Sequence, residues 1–141
     1  MNKGKTIHQM TVGQVESLSK TITEKDVETF GEITGDYNPA HFDEDYASTT
    51  MFKKRIAHGM LVGSLFSPIL GMKLPGPGAI YVQQSLKFTR PVYFGDEITA
   101  QVKVVELNIE KNRVVFDCEA RNQNGDVVIL GQATMMPRKD K

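Results

Sequence analysis

Asp36 and His41 are the side chains best suited to moving a proton, and they stand five residues apart with Asn38-Pro39 between them. A carboxylate and an imidazole that converge on one water let one group accept a proton while the other donates, which is general acid–base catalysis. On a regular helix that offset would turn the two side chains about 140° apart, so the pair needs a bend. Asp36-Tyr37-Asn38-Pro39 supplies turn chemistry, because Asp and Asn side chains bond nearby backbone and Pro pre-sets φ. The bland alternatives stay open: Asp36 and Asn38 as turn formers only, and His41 as a half-buried, hydrogen-bonded histidine. A second half-site begins at His58-Gly59-Met60. The free N–H groups in a helix's first turn, backed by its dipole, can polarise a carbonyl or hold an oxyanion. His58 itself reads as a structural residue near that helix start.

These groups must be held by elements with clear local signals. Thr23 and Asp26 have the spacing of a helix N-terminal capping box, with Ile22 and Val27 at the staple positions. Val27, Phe30 and Ile33 would form the apolar face, and Gly35 the left-handed stop. A short helix is expected within Asp43–Phe52. His58–Gly71 is apolar nearly all round (Met60, Leu61, Val62, Leu65, Phe66, Ile69, Leu70), as in a rod enclosed by protein, with a bend expected near Ser67 because Pro68 lacks an N–H. Beyond Leu74-Pro75-Gly76-Pro77-Gly78, four segments read as strands, about 79–89, 97–110, 112–122 and 127–136, and a fifth is expected near 12–19. Val114, Phe116, Cys118 and Ala120 alternate onto one face of the third. Asn124-Gly125-Asp126 joins it to the fourth as an antiparallel hairpin. The expected fold class is α+β, a long central helix lying against a curved antiparallel sheet of about five strands.

Composition narrows the class of function. The chain has 141 residues, the size of one domain, with 40% hydrophobic residues, so a single core over 1–141 is expected. Seventeen Lys+Arg balance seventeen Asp+Glu, which removes the basic excess of a generic nucleic-acid binder. One cysteine makes no internal disulfide and MNKGKTIHQM lacks a signal peptide's apolar run, so a cytoplasmic protein is expected. The longest apolar stretch, Gly59–Met72, is too short for a membrane span. Asp36, His41, Asp43, Asp45 and His58 can be drawn together as metal ligands, but no His-Glu-x-x-His spacing or calcium-loop glycine accompanies them, and no metal is expected. Cys118 reads as core filling.

Three blocks, TGDYNPAHFDEDYA, RIAHGMLVGSLFS and LPGPGAIYVQQSLKFTRPVYFGDEIT, occur in an order and spacing by which the chain resembles the MaoC-like (R)-specific enoyl-CoA hydratases of the hot-dog fold. The resemblance covers nearly the whole chain. It implies reversible hydration of a trans-2-enoyl-CoA to an (R)-3-hydroxyacyl-CoA, without a cofactor beyond the coenzyme A of the substrate. It assigns Asp36 and His41 to the acid/base pair, Asn38 to orienting that pair, and Gly59 to the oxyanion N–H. Ser67 matches a serine near the site, while Met60 and Phe66 are core residues first and acyl-pocket lining second. The family architecture also implies a homodimer joined through sheet edges, with the coenzyme A arm along the subunit interface; by charge and by their place in the three blocks, Lys53, Lys54, Arg55, Lys87 and Arg90 are the candidates for the nucleotide phosphates. A dehydratase acting on acyl carrier protein thioesters, a thioesterase, and a non-catalytic acyl-CoA-binding module are the alternatives on the same scaffold.

Overall fold

The computed structural model describes residues 3–140. After a 3-10 turn at Ile7–Gln9 come strand β1 (Val15–Thr21) and helices α1 (Glu24–Thr34), α2 (Pro39–Phe42), α3 (Glu44–Ser48), α4 (Gly59–Gly63) and α5 (Phe66–Met72). Strands β2 (Ile80–Phe88), β3 (Glu97–Asn108), β4 (Arg113–Arg121) and β5 (Val127–Met136) complete the chain. The five strands form one antiparallel sheet in the order β1-β3-β4-β5-β2. One face of that sheet packs on α4 and α5. Ile98, Ala100, Val102 and Val104 of β3 and Val114, Phe116, Cys118 and Ala120 of β4 join Val62, Phe66, Ile69 and Leu70 in one buried cluster. The period-2 alternation of β4 therefore faces the core as expected, and the architecture is the hot-dog arrangement of a sheet wrapped round a helical rod.

The capping signals behave as their chemistry requires. Thr23 accepts from the Asp26 N–H at 3.1 Å while the Asp26 carboxylate accepts from the Thr23 N–H at 3.0 Å, and Gly35 ends α1 with φ 79°. Gly125 turns the β4–β5 hairpin with φ 81°.

Four expectations are corrected. Ile33 is 78% exposed, because the buried stripe of α1 runs through Val27 and Gly31, one turn apart, where the Phe42 ring packs against Gly31. The second helix is divided. Asn38 caps the one-turn α2 and Asp43 caps α3, which ends where the hydroxyls of Ser48, Thr49 and Thr50 turn back to the carbonyls of Asp45, Tyr46 and Ala47. The rod is also two helices, broken at Ser64–Leu65 rather than bent at Ser67. Pro68 is the third residue of α5, where an N–H has no partner inside the helix anyway, so the proline starts a helix instead of bending one. Nor is the rod enclosed all round, since Met60 is 60% exposed.

Candidate active site

The Asp36–His41 segment is shaped by its own side chains. Gly35 turns the chain out of α1, the Asp36 Oδ1 accepts from the Asn38 N–H at 3.1 Å, and the Asn38 Oδ1 accepts from the Ala40 N–H at 3.0 Å. Pro39 opens α2 with a φ already suited to a helix, and His41 follows within that turn, a ring nitrogen within 4.8 Å of an Asp36 carboxylate oxygen.

His41 is fixed by a backbone acceptor. Its Nδ1 lies 2.7 Å from the Ile56 carbonyl. A carbonyl only accepts, so Nδ1 carries the proton and Nε2 keeps a lone pair, the form a general base needs. Burial pushes the His41 pKa below its ordinary 6.5, and the His58 ring acts in the same direction; the Ile56 bond and the Asp36 charge oppose them. The base therefore remains unprotonated further into the acid range than an exposed histidine would.

His58 joins this pair, a placement that the spacing of 36, 41 and 58 along the chain did not signal. It is 2% exposed, and its Nε2 donates to the backbone carbonyl of Asp36 at 2.9 Å. Its ring stacks on His41 with centroids 4.0 Å apart, and Phe30 and Phe42 close in at 4.8 and 5.7 Å. The structural role read from sequence is present as the bond that pins the Asp36 backbone, and one carboxylate oxygen of Asp36 and one ring nitrogen each of His41 and His58 lie within 4.8 Å of one another. Among the described residues that trio is also a cluster of metal-type donors. One nitrogen of each ring already faces a backbone carbonyl, His41 Nδ1 that of Ile56 and His58 Nε2 that of Asp36.

A cavity of about 470 Å³ opens beside this cluster. His41 and Gly59 stand in its wall with Met60, Val62, Phe88 and Ile129, so its lining is mainly apolar. Gly59 is the first residue of α4, and its lack of a side chain is required: a Cβ there would sit 2.8 Å from two carbons of the Phe88 ring. The structure thus brings Asp36, His41, Gly59 and Met60 to one region. Asn38 is exposed and caps α2; Phe66 is fully buried in the core; Ser67 is exposed on α5; neither Phe66 nor Ser67 lines the cavity. Of the basic residues, Arg90 lines the cavity and Lys54 lies over the Tyr93 ring, whereas Arg55 is committed to protein groups.

A sheet wrapped round a helical rod, with a neutral imidazole and a helix start in the wall of an apolar cavity and a carboxylate behind that imidazole, outside the cavity lining, is the arrangement of a hot-dog protein of the hydratase and dehydratase class. Comparison with known proteins gives the family. The profile of the MaoC-like domain matches residues 5–124, and the chain belongs to that family. It is 55% identical over 124 residues to an (R)-specific enoyl-CoA hydratase of Rhodospirillum rubrum, covering 88% of this chain and 85% of the relative. It is 38% identical over 135 residues to a mitochondrial 3-hydroxyacyl-[acyl-carrier-protein] dehydratase of Arabidopsis thaliana, covering 93% and 80%. An unliganded R-hydratase structure from Pseudomonas aeruginosa superposes with a TM-score of 0.90 at 42% identity over 97% of this chain and 88% of that one. No helix among the described residues is long and apolar enough to cross a membrane.

Proposed function

We propose that the protein is an (R)-specific enoyl-CoA hydratase, a hydro-lyase that adds water reversibly across a trans-2-enoyl-CoA to give an (R)-3-hydroxyacyl-CoA. The observation that carries this reading is the His41 ring, proton held on Nδ1 by Ile56 and Nε2 left free, beside Asp36 on the wall of an apolar cavity.

The chemistry follows from what the double bond lacks. Water attacks C3 only when the thioester carbonyl draws electrons away, so the site must activate the water and stabilise an enolate together. Asp36 and His41 hold the water. As its oxygen bonds to C3, one proton passes to this pair, the π electrons move to the thioester oxygen, and a proton returned by the pair to C2 completes the product. Gly59 N–H bears the enolate charge, a role worth about 3–4 kcal/mol where such donors have been removed, and positioned acid–base transfer contributes roughly 10²- to 10⁴-fold. Met60 lines the acyl path, and Asn38 orients the catalytic segment through its cap on α2. The substrate brings its own coenzyme A, and the site needs no further cofactor.

The unit of function is a homodimer. β2 is an edge of the sheet, and it leaves Ile80, Tyr81, Val82 and Phe88 half-exposed, a surface that edge-to-edge pairing would cover. Residues 1–141 act as one domain in the cytoplasm, in keeping with a single, buried, unpaired cysteine. Purified protein should consume crotonyl-CoA and release (R)-3-hydroxybutyryl-CoA, identified by chiral analysis. Faster turnover of the same enoyl chain on acyl carrier protein would assign the protein to carrier-protein dehydration instead, and release of free thiol from a saturated acyl-CoA would assign it to thioester hydrolysis.

A further inference from the structure

We propose that Arg55 is a positioning residue for the catalytic imidazole, holding the backbone of His41 from outside the cavity. Lys53-Lys54-Arg55 looks like a solvated basic run, or a set of phosphate ligands, yet the Arg55 side chain is only 11% exposed. Its Nε donates to the His41 carbonyl at 2.7 Å, and its Nη1 donates to the Glu24 carboxylate at 2.7 Å with Glu44 at 4.0 Å. Its guanidinium carbon lies 4.9 Å from the centre of the Phe94 ring. One side chain therefore ties together the starts of α1 and α3, the end of α2 and the loop before β3.

The grip falls where α2 is weakest. A four-residue helix leaves its last carbonyls without helical partners, and the His41 carbonyl is one of them. Residues 55 and 56 supply the missing partners and hold 40 and 41 through three bonds: Ile56 N–H to the Ala40 carbonyl at 3.2 Å, Arg55 Nε to the His41 carbonyl, and His41 Nδ1 to the Ile56 carbonyl. The last bond selects the tautomer, and the first two set the height and tilt at which the ring meets Ile56. An arginine fork spans the His41 carbonyl and Glu24 at once because its donors lie in one rigid plane; the single ammonium of a lysine does not. Drawn inward by these partners, Arg55 is not free to meet a nucleotide phosphate.

The kinetic arm of the test rests on the hydratase reading, and the spectroscopic arm does not. Arg55→Lys and Arg55→Met are compared with the wild type on crotonyl-CoA, and nitrogen-15 NMR of the imidazoles reads the His41 tautomer. Both variants should lose at least tenfold in kcat with KM within threefold, Lys standing nearer to Met than to arginine. The His41 signal should change from a single Nδ1–H tautomer to a mixture. A raised KM with unchanged kcat would make Arg55 a substrate ligand and overturn the proposal, and so would wild-type kcat with an unaltered His41 tautomer. If the Arg55 variants do not fold, Glu24→Gln loosens the same fork from an exposed position and should shift kcat and the tautomer the same way; no change in either overturns the proposal. A wild type inert towards crotonyl-CoA refutes the hydratase reading alone, and the tautomer then decides the role of Arg55.

Discussion

Asp36→Asn separates chemistry from architecture because the structure shows what the substitution leaves in place. The Asp36 side chain contributes one fold-shaping bond, in which Oδ1 accepts from the Asn38 N–H at 3.1 Å, and asparagine offers the same oxygen. The bond from His58 goes to the Asp36 backbone carbonyl and is untouched. The residue is exposed, so stability should change by no more than about 0.5 kcal/mol. What disappears is the negative charge and its affinity for a proton. A loss of at least a hundredfold is expected in kcat/KM for crotonyl-CoA, which is about 2.7 kcal/mol of barrier at roughly 1.36 kcal/mol per decade. The lost charge also carries a sign. Asp36 favours protonated His41, so its removal should move the acid limb of the residual activity to lower pH. Initial rates followed by loss of the conjugated thioester absorbance between about pH 5 and 9, with thermal unfolding in parallel, measure both effects. Activity within fivefold of wild type at an unchanged melting temperature would refute the reasoning, since only the charge has been altered.

Other expectations bear on neighbouring groups. His41→Ala should reduce kcat/KM at least a hundredfold, and the wild-type acid limb should have its midpoint below 6.5, because burial lowers the His41 pKa; a midpoint above 6.5 would contradict that environment. The same shift acts on stability. As pH falls through about 6.5 the unfolded chain takes up this proton first, so His41 favours unfolding increasingly down to its own lower pKa, which denaturant titrations at a series of pH values would detect. Gly59→Ala places a methyl group 2.8 Å from the Phe88 ring and should push that ring into the cavity, lowering kcat/KM about tenfold or more; Phe88→Leu in the same protein should recover part of the loss by making room. Gly131→Ala would set a Cβ 1.9 Å from the Ser85 carbonyl oxygen, against backbone that cannot yield without unpairing β2 from β5. It should cost about 3 kcal/mol and roughly 10 °C in melting temperature, read by calorimetry.

The sequence alone determined whatever depends on neighbours along the chain. The capping box of Thr23 and Asp26, the stop at Gly35, the alternation of β4 and the turn at Gly125 are each decided within a few residues by hydrogen-bonding reach and allowed φ, and each was legible. So was the pairing of Asp36 with His41, because Asn38-Pro39 bends a short segment on itself. The tertiary structure decided what depends on partners distant in sequence. His58 could be placed beside His41 only once α4 was laid against the catalytic segment, Arg55 became buried only because Glu24 and the His41 carbonyl came to meet it, and Ile33 stayed in solvent because the core lay on the other side of its helix. The break of the rod at Ser64–Leu65 belongs with these. Pro68 forbids one hydrogen bond, but whether it bends a helix or begins one is settled by how the two halves of the rod pack into the sheet. Local patterns state which bonds a residue can make; packing selects which of them it does make, since burial is shared among residues far apart in the chain.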